Sequence, residues 1–165
     1  MAWGAVPPVG RRSPGGTWPG RVEIPVMSHR RVLLADAHPG MLEAVRGLLA
    51  GKFRATVMVA DEASLLEAVQ RLQPDLVVVD LSLPVSGGVN VVRSLCSRHP
   101  GLRVIVLSVH DEETAVSQAL GVGAAGFVLK RTAAADLTAA VDAALRGETY
   151  VSPTLGERPR SSGGE

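Results

Sequence analysis

The most apolar run in the chain, Leu76-Val77-Val78-Val79, ends on a carboxylate, Asp80. Three more polar residues stand at the same kind of position. Asp36 follows Val32-Leu33-Leu34-Ala35, Ser108 follows Val104-Ile105-Val106-Leu107, and Lys130 follows Phe127-Val128-Leu129. Open parallel sheets place their chemistry in the crevice beyond the carboxyl ends of the strands. Two acids, a hydroxyl and an ammonium gathered there make a small anionic pocket with one cation and one hydroxyl donor.

Each of these residues has an ordinary alternative. An Asp after a strand commonly caps the next helix, and for Asp36 alone a cap and a ligand are equally good readings. For Asp80 the cap reading is weak, because Pro84 and Gly87-Gly88 delay the next helix. A lone Ser after a strand is a turn residue, so Ser108 gains weight only from its company. Lysines are mostly solvated, but Lys130 follows a buried-type strand. His38 and His110 have the chemistry of metal ligands, but no ligand spacing joins them, so each reads as a loop residue.

The elements that must position these groups alternate from Arg31 onward. Strands are expected at 31–36, 55–60, 75–80, 103–108 and 125–129, each short and apolar on both faces, as in parallel strands buried on both sides. Helical spacing recurs at Leu42, Val45 and Leu49; at Leu65, Val69 and Leu72; and at Val91, Val92 and Leu95. It returns at Ala115, Val116, Ala119 and Leu120, and at Leu137, Val141, Ala144 and Leu145. Asp111 suits an N-cap for the fourth helix. His99-Pro100-Gly101 stops the third and Gly121 the fourth. Five βα units imply a right-handed, doubly wound α/β sheet. The order 2-1-3-4-5 would make Asp36 and Asp80 neighbours at its switch point, although spacing alone leaves the order open.

Composition bounds the rest. A chain of 165 residues suits one domain, and with 46% apolar residues but only 3% aromatic ones, Val, Leu and Ala must build its core. Residues 31–156 hold eleven basic and thirteen acidic residues, so there is no basic face for a phosphate backbone and no direct DNA binding is expected. The single cysteine, Cys96, reads as a packed helical residue in a reducing compartment. No apolar run approaches the roughly 20 residues that span a bilayer, and a cytoplasmic location without membrane contact is expected. Residues 1–29, broken by Pro and Gly, read as a disordered tail in which Arg11-Arg12 is solvated. Met27 is a candidate true start. Residues 30–150 form the expected domain, and 151–165 a disordered tail or linker remnant too short for a helix-turn-helix.

Four segments in order, Ala35-Asp36-Ala37-His38-Pro39, Asp80-Leu81-Ser82-Leu83-Pro84 with Gly88, Ser108-Val109-His110-Asp111 and Gly126-Phe127-Val128-Leu129-Lys130, resemble the receiver domain of two-component response regulators. The NarL/FixJ group, usually joined to a DNA-binding helix-turn-helix, is the nearest subtype, and the resemblance covers about residues 30–153. It implies a CheY-like (flavodoxin-like) five-stranded fold of order 2-1-3-4-5. It implies that Asp80 accepts a phosphoryl group from a sensor histidine kinase and that Lys130 and Ser108 bind it. Asp36, Asp80 and the backbone carbonyl of Ser82 would hold Mg²⁺. Ser108 and Phe127 would form the switch, and Pro84 and Gly88 would shape the loop.

Three departures stand out. Ala37 replaces the second acid, normally the direct Mg²⁺ ligand, so cation binding should be weakened. Phe127 stands where Tyr is frequent, and a simple core aromatic is its alternative reading. Arg131 follows the lysine where many receivers have Pro. The expected output is a conformational change read through protein contacts, a homodimer among them, in transcriptional control. One alternative is a degenerate receiver acting by binding or dimerisation without phosphate. Another is an aspartate-nucleophile phosphatase of the haloacid dehalogenase type, which would need an acid where Ser82 stands. No turnover enzyme is expected.

Overall fold

A computed structural model describes residues 30–83 and 88–156 of the chain. The expected N-terminal tail with Met27, Pro84, and residues 157–165 lie outside the described residues. Residues 151–156, expected to belong to a disordered tail or linker remnant, are instead described and form secondary structure. The strands are β1 (Arg31–Ala35), β2 (Ala55–Val59), β3 (Leu76–Asp80), β4 (Arg103–Ser108), β5 (Gly126–Leu129) and β6 (Tyr150–Val151). The helices are α1 (Pro39–Leu48), α2 (Glu62–Leu72), α3 (Gly88–Arg98), α4 (Glu113–Gly121), α5 (Ala133–Leu145) and α6 (Pro153–Gly156). All strand pairs are parallel, in the order β2-β1-β3-β4-β5-β6. The five expected strands appear within one residue of their expected bounds, and the switch point falls between β1 and β3.

Strand periodicity divides the core into two layers. Leu33, Ala35, Val77, Val79, Val104, Val106, Phe127 and Leu129 pack on one face with Leu65 and Val69 of α2, Val91, Val92 and Leu95 of α3, and Ala119 of α4. Val32, Leu34, Leu76, Val78, Ile105, Leu107 and Val128 pack on the other with Leu42 and Val45 of α1 and Leu137, Ala140, Val141 and Ala144 of α5. Both faces are covered, so β3 is apolar at every position before Asp80. The Ala-rich face of α5 lets that helix lie close to β4 and β5.

The helix starts are local. Asp61 caps α2 by accepting the backbone N–H of Ser64 at 2.8 Å. Asp111 does not cap α4: that position belongs to Glu112, whose side chain makes no capping bond. Asp111 instead faces Arg131 at 3.2 Å, a pairing set by the approach of two loops that are distant in sequence. Gly121 is the last residue of α4, and Gly123 takes the left-handed turn beyond it (φ 108°). Cys96 is partly buried, as expected, and burial raises its thiol pKa.

β6 was not among the expected strands. It adds to β5 through Gly126↔Tyr150 and Phe127↔Val151, and three hydroxyls hold it there. The buried Asp136 of α5 accepts from Thr132 (2.6 Å), Ser152 (2.7 Å) and Tyr150 (3.3 Å). Ser152, wholly buried, also accepts the N–H of Leu129 at 3.1 Å. Burial, followed by the charge and hydrogen bond of Asp136, raises the Tyr150 phenol above its usual pKa. Ser152→Ala would strand the Leu129 N–H and remove one donor to Asp136. We expect it to cost about 1–3 kcal/mol in urea unfolding, against less than about 1 kcal/mol for Tyr150→Phe.

Candidate functional site

Three neighbouring strands end in the same local device. Asp36 Oδ1 accepts the N–H of His38 at 2.8 Å, Asp80 Oδ1 accepts that of Ser82 at 3.0 Å, and Ser108 Oγ accepts that of His110 at 2.9 Å. Each is a side-chain turn in which a polar residue bonds the backbone two positions on. The turn reading of Ser108 is therefore correct locally. Asp36 and Asp80 form the same kind of turn, with His38 rather than Asp36 at the N-cap of α1, and each turn orients one side-chain oxygen. All three residues are buried. Register sets their level: Ala35 pairs with Val79, so Asp36 and Asp80 stand side by side, and Asp80 pairs with Leu107, so Ser108 lies one residue further out.

Lys130 connects the ends. It follows β5, where the chain enters a single 3-10 turn, Lys130–Thr132. Its stem reaches past the end of β4, and Nζ lies 2.7 Å from Asp36 Oδ2 and 3.1 Å from Asp80 Oδ2. The first contact is a hydrogen bond. The second is an ion pair without hydrogen-bonding geometry, so Asp80 Oδ2 is a buried carboxylate oxygen that accepts no hydrogen bond. Asp80 Oδ1 is occupied by both the N–H and the hydroxyl of Ser82.

Burial of Asp36 opposes its charge, but the hydrogen bonds from Lys130 and from the backbone and ring of His38, with the Lys130 charge, outweigh it. The carboxyl is held below its ordinary pKa. Two buried carboxylates share one ammonium, so the pocket keeps an uncompensated negative charge that suits a cation. Asp36, Asp80 and His38 each offer a ligand atom, all within 4.8 Å of one another.

Asp36, Asp80 and Lys130 are thus brought into contact, and Ser108 lies on the adjoining strand end. Phe127 is fully buried in the layer that includes Val106, Leu129 and Ala119. Gly88 opens α3. The hydroxyl and N–H of Ser82 turn toward Asp80, contacts that the expectation about its carbonyl did not include. His38 stands in the loop before α1, as expected, and its Nδ1 also lies 3.0 Å from Asp36 Oδ1. Pro39 starts α1 immediately after it and favours the extended backbone that His38 adopts. The available signal was the two-residue step from Asp36 together with that proline. His110 turns instead to Glu112, 3.7 Å away on the surface.

Residues 32–142 match the family model described as response regulator receiver domain. The transcriptional regulatory protein DegU of Brevibacillus brevis is 33% identical over 127 residues, covering 76% of this chain and 54% of that protein. The chain thus spans little more than half the length of that relative. The isolated receiver domain of RcsB from Salmonella enterica serovar Typhimurium, solved with the phosphomimetic BeF₃⁻, superposes with a TM-score of 0.73 at 25% identity, over 78% of this chain and 97% of that one. A further RcsB structure, of two dimers bound to two parallel DNAs, gives a TM-score of 0.71 at 25% identity, over 78% and 66%.

Removal of the shared cation tests the electrostatics. In the wild type the depressed Asp36 pKa contributes stability above the ordinary carboxylate value of about 4, and this is lost as pH falls through the folded-state value. Lys130→Met leaves desolvation unopposed by the ammonium. We expect a loss of about 3 kcal/mol in urea unfolding at pH 7, narrowing below about pH 4 as the Asp36 carboxylate protonates. An equal loss at both pH values would rule this account out.

Proposed function

Because the chain belongs to the response regulator receiver family, we propose that Asp80 accepts a phosphoryl group from a sensor histidine kinase and passes the signal on through protein contacts. The observation that carries this reading is Asp80 Oδ2, buried, free of hydrogen bonds and 3.1 Å from an ammonium. That oxygen attacks phosphorus in line with the phosphohistidine P–N bond. An O–P bond forms, the P–N bond breaks, and the electron pair leaves with the kinase imidazole. Positioning and charge neutralisation carry most of such a transfer.

Lys130 then exchanges carboxylate for a phosphoryl oxygen. The hydroxyl of Ser108, one residue beyond the level of Asp80, donates to another. A divalent cation such as Mg²⁺, when bound, would neutralise charge between the carboxylates and the phosphoryl group. Asp36, Asp80 and the Ser82 carbonyl are its proposed oxygen ligands, and Ala37 supplies none. Phe127 has no phenol to desolvate, so its ring rests inside at little cost, which favours the inward side of a Ser108–Phe127 switch. By the family resemblance, Pro84 and Gly88 are the proposed loop-shaping positions between β3 and α3.

The output proposed is in transcriptional control, in line with the regulators that the chain resembles, through a homodimer or another protein partner. The proposed location is the cytoplasm; among the described residues no helix is long and apolar enough to cross a membrane. DNA contact is not assigned to these residues. Ala37 favours one competing reading, a receiver that dimerises without phosphate. The phosphatase reading is weaker: Ser82 stands where its general acid is needed, and the Ser82 hydroxyl already donates to Asp80.

Incubation with acetyl phosphate and Mg²⁺ should add one phosphoryl mass that is base-labile and absent in Asp80→Asn. Absence of label with retained self-association would favour the phosphate-independent receiver, and rapid turnover of phosphate esters the phosphatase. Ala37→Asp should tighten Mg²⁺ binding by about tenfold or more, since it restores a charged oxygen ligand. Unchanged affinity in a titration would count against the proposed ligand set.

A further inference from the structure

We propose that the pocket binds a borderline-soft divalent transition-metal ion of the Co²⁺, Ni²⁺ or Zn²⁺ class, with His38 Nδ1 as a ligand beside Asp36 and Asp80. This deepens the reading of the pocket as a cation-assisted phosphoacceptor by changing which cation it selects. The donor atoms lie within 4.8 Å of one another. Asp36 Oδ1 and His38 Nδ1 are 3.0 Å apart, and two adjacent ligands at metal–donor distances near 2.1 Å also stand about 3 Å apart.

Two further observations point to a ligand there. Asp80 Oδ2 accepts no hydrogen bond although Asp80 is only 1% exposed, and its contact with Lys130 Nζ at 3.1 Å is an ion pair alone. The two carboxylates also outnumber the single ammonium that serves them. A divalent ion shared by the two carboxylates would turn the pocket net positive, ready for a phosphoryl anion at Asp80 Oδ2.

The chemistry of the donors decides the kind of ion. Mg²⁺ is hard, prefers oxygen and needs near-octahedral geometry. Ala37 presents a methyl group and no oxygen donor, and the next residue presents imidazole. Imidazole suits Zn²⁺, Ni²⁺ and Cu²⁺, and first-row affinities rise from Co²⁺ through Ni²⁺ to Cu²⁺. Two local features fix the His38 backbone beside Asp36. Its backbone N–H bonds Asp36 Oδ1, and Pro39 follows at the first position of α1. Its side chain is 74% exposed, so water can complete the coordination from the solvent side. On binding, Nδ1 turns its lone pair to the metal, and the ring carries its proton on Nε2.

Cobalt provides the readout, because visible absorption reports its ligands and geometry without any phosphorylation. The intact protein is titrated with Co²⁺ and separately with Mg²⁺ by calorimetry, alongside His38→Ala and His110→Ala. Circular dichroism checks that each variant is folded. We expect His38→Ala to weaken Co²⁺ by about tenfold or more, to change its spectrum, and to leave Mg²⁺ within about twofold; His110→Ala should change neither. Unchanged Co²⁺ affinity in His38→Ala would overturn the proposal. Equal losses of Co²⁺ and Mg²⁺ would also overturn it, because His38 would then act only by positioning Asp36. Co²⁺ binding that depends on His38, with no label from acetyl phosphate, would defeat the phosphoacceptor reading alone. Label in Mg²⁺ with no His38 dependence for Co²⁺ would defeat the metal proposal alone.

Discussion

One ammonium between two buried carboxylates sets the character of this molecule. Lys130 lies within 3.1 Å of both Asp36 and Asp80, on side chains that solvent barely reaches. Without it, two like charges would share a dry crevice at a severe desolvation cost. With it, the Asp36 carboxyl is held below its ordinary pKa, while two carboxyl groups still share a single ammonium. A structural ion pair would be balanced; this one has an excess acid, and that imbalance makes a cation and a phosphoryl group reasonable occupants.

The fold exists around that constraint. Parallel strands cannot be joined by tight hairpins, so helices must cross over and cover both faces. Every strand then starts at one end of the sheet and finishes at the other. The polar residues that end β1, β3 and β4, and the lysine that follows β5, are thereby gathered on one edge. Their turns onto His38, Ser82 and His110 fix the carboxylates and hydroxyl before any ligand arrives. The hydroxyl network of Asp136, Thr132, Tyr150 and Ser152 ties the segment after α5 to β5, directly below Lys130. The stem of the functional lysine therefore shares its strand and turn with the path by which the chain leaves the sheet.

Much of this was legible in the sequence. Val-rich runs apolar at every position can only be strands covered twice, and helical spacing of Leu, Val and Ala marks the covers. Asp36, Asp80, Ser108 and Lys130 were recognisable because each interrupts the pattern at the same point of its run. Less legible were features made by contacts between distant segments. Tyr150–Val151 is too short to show alternation, and it becomes a strand because Ser152 and Tyr150 find Asp136 on α5. Asp111 has the chemistry of a cap, but Arg131, twenty positions on, lies within reach of its carboxylate.

His38 shows the same division within the site. Local sequence determines that an imidazole follows Asp36 by two residues and precedes a proline that starts a helix, because those are chemical identities and short-range backbone rules. That Asp80, from a strand more than forty residues later, comes close enough for both acids and the imidazole to offer one ion their lone pairs was decided only in three dimensions. Strand order is chosen by which apolar faces the whole chain can cover at once, and no short stretch of residues contains that choice.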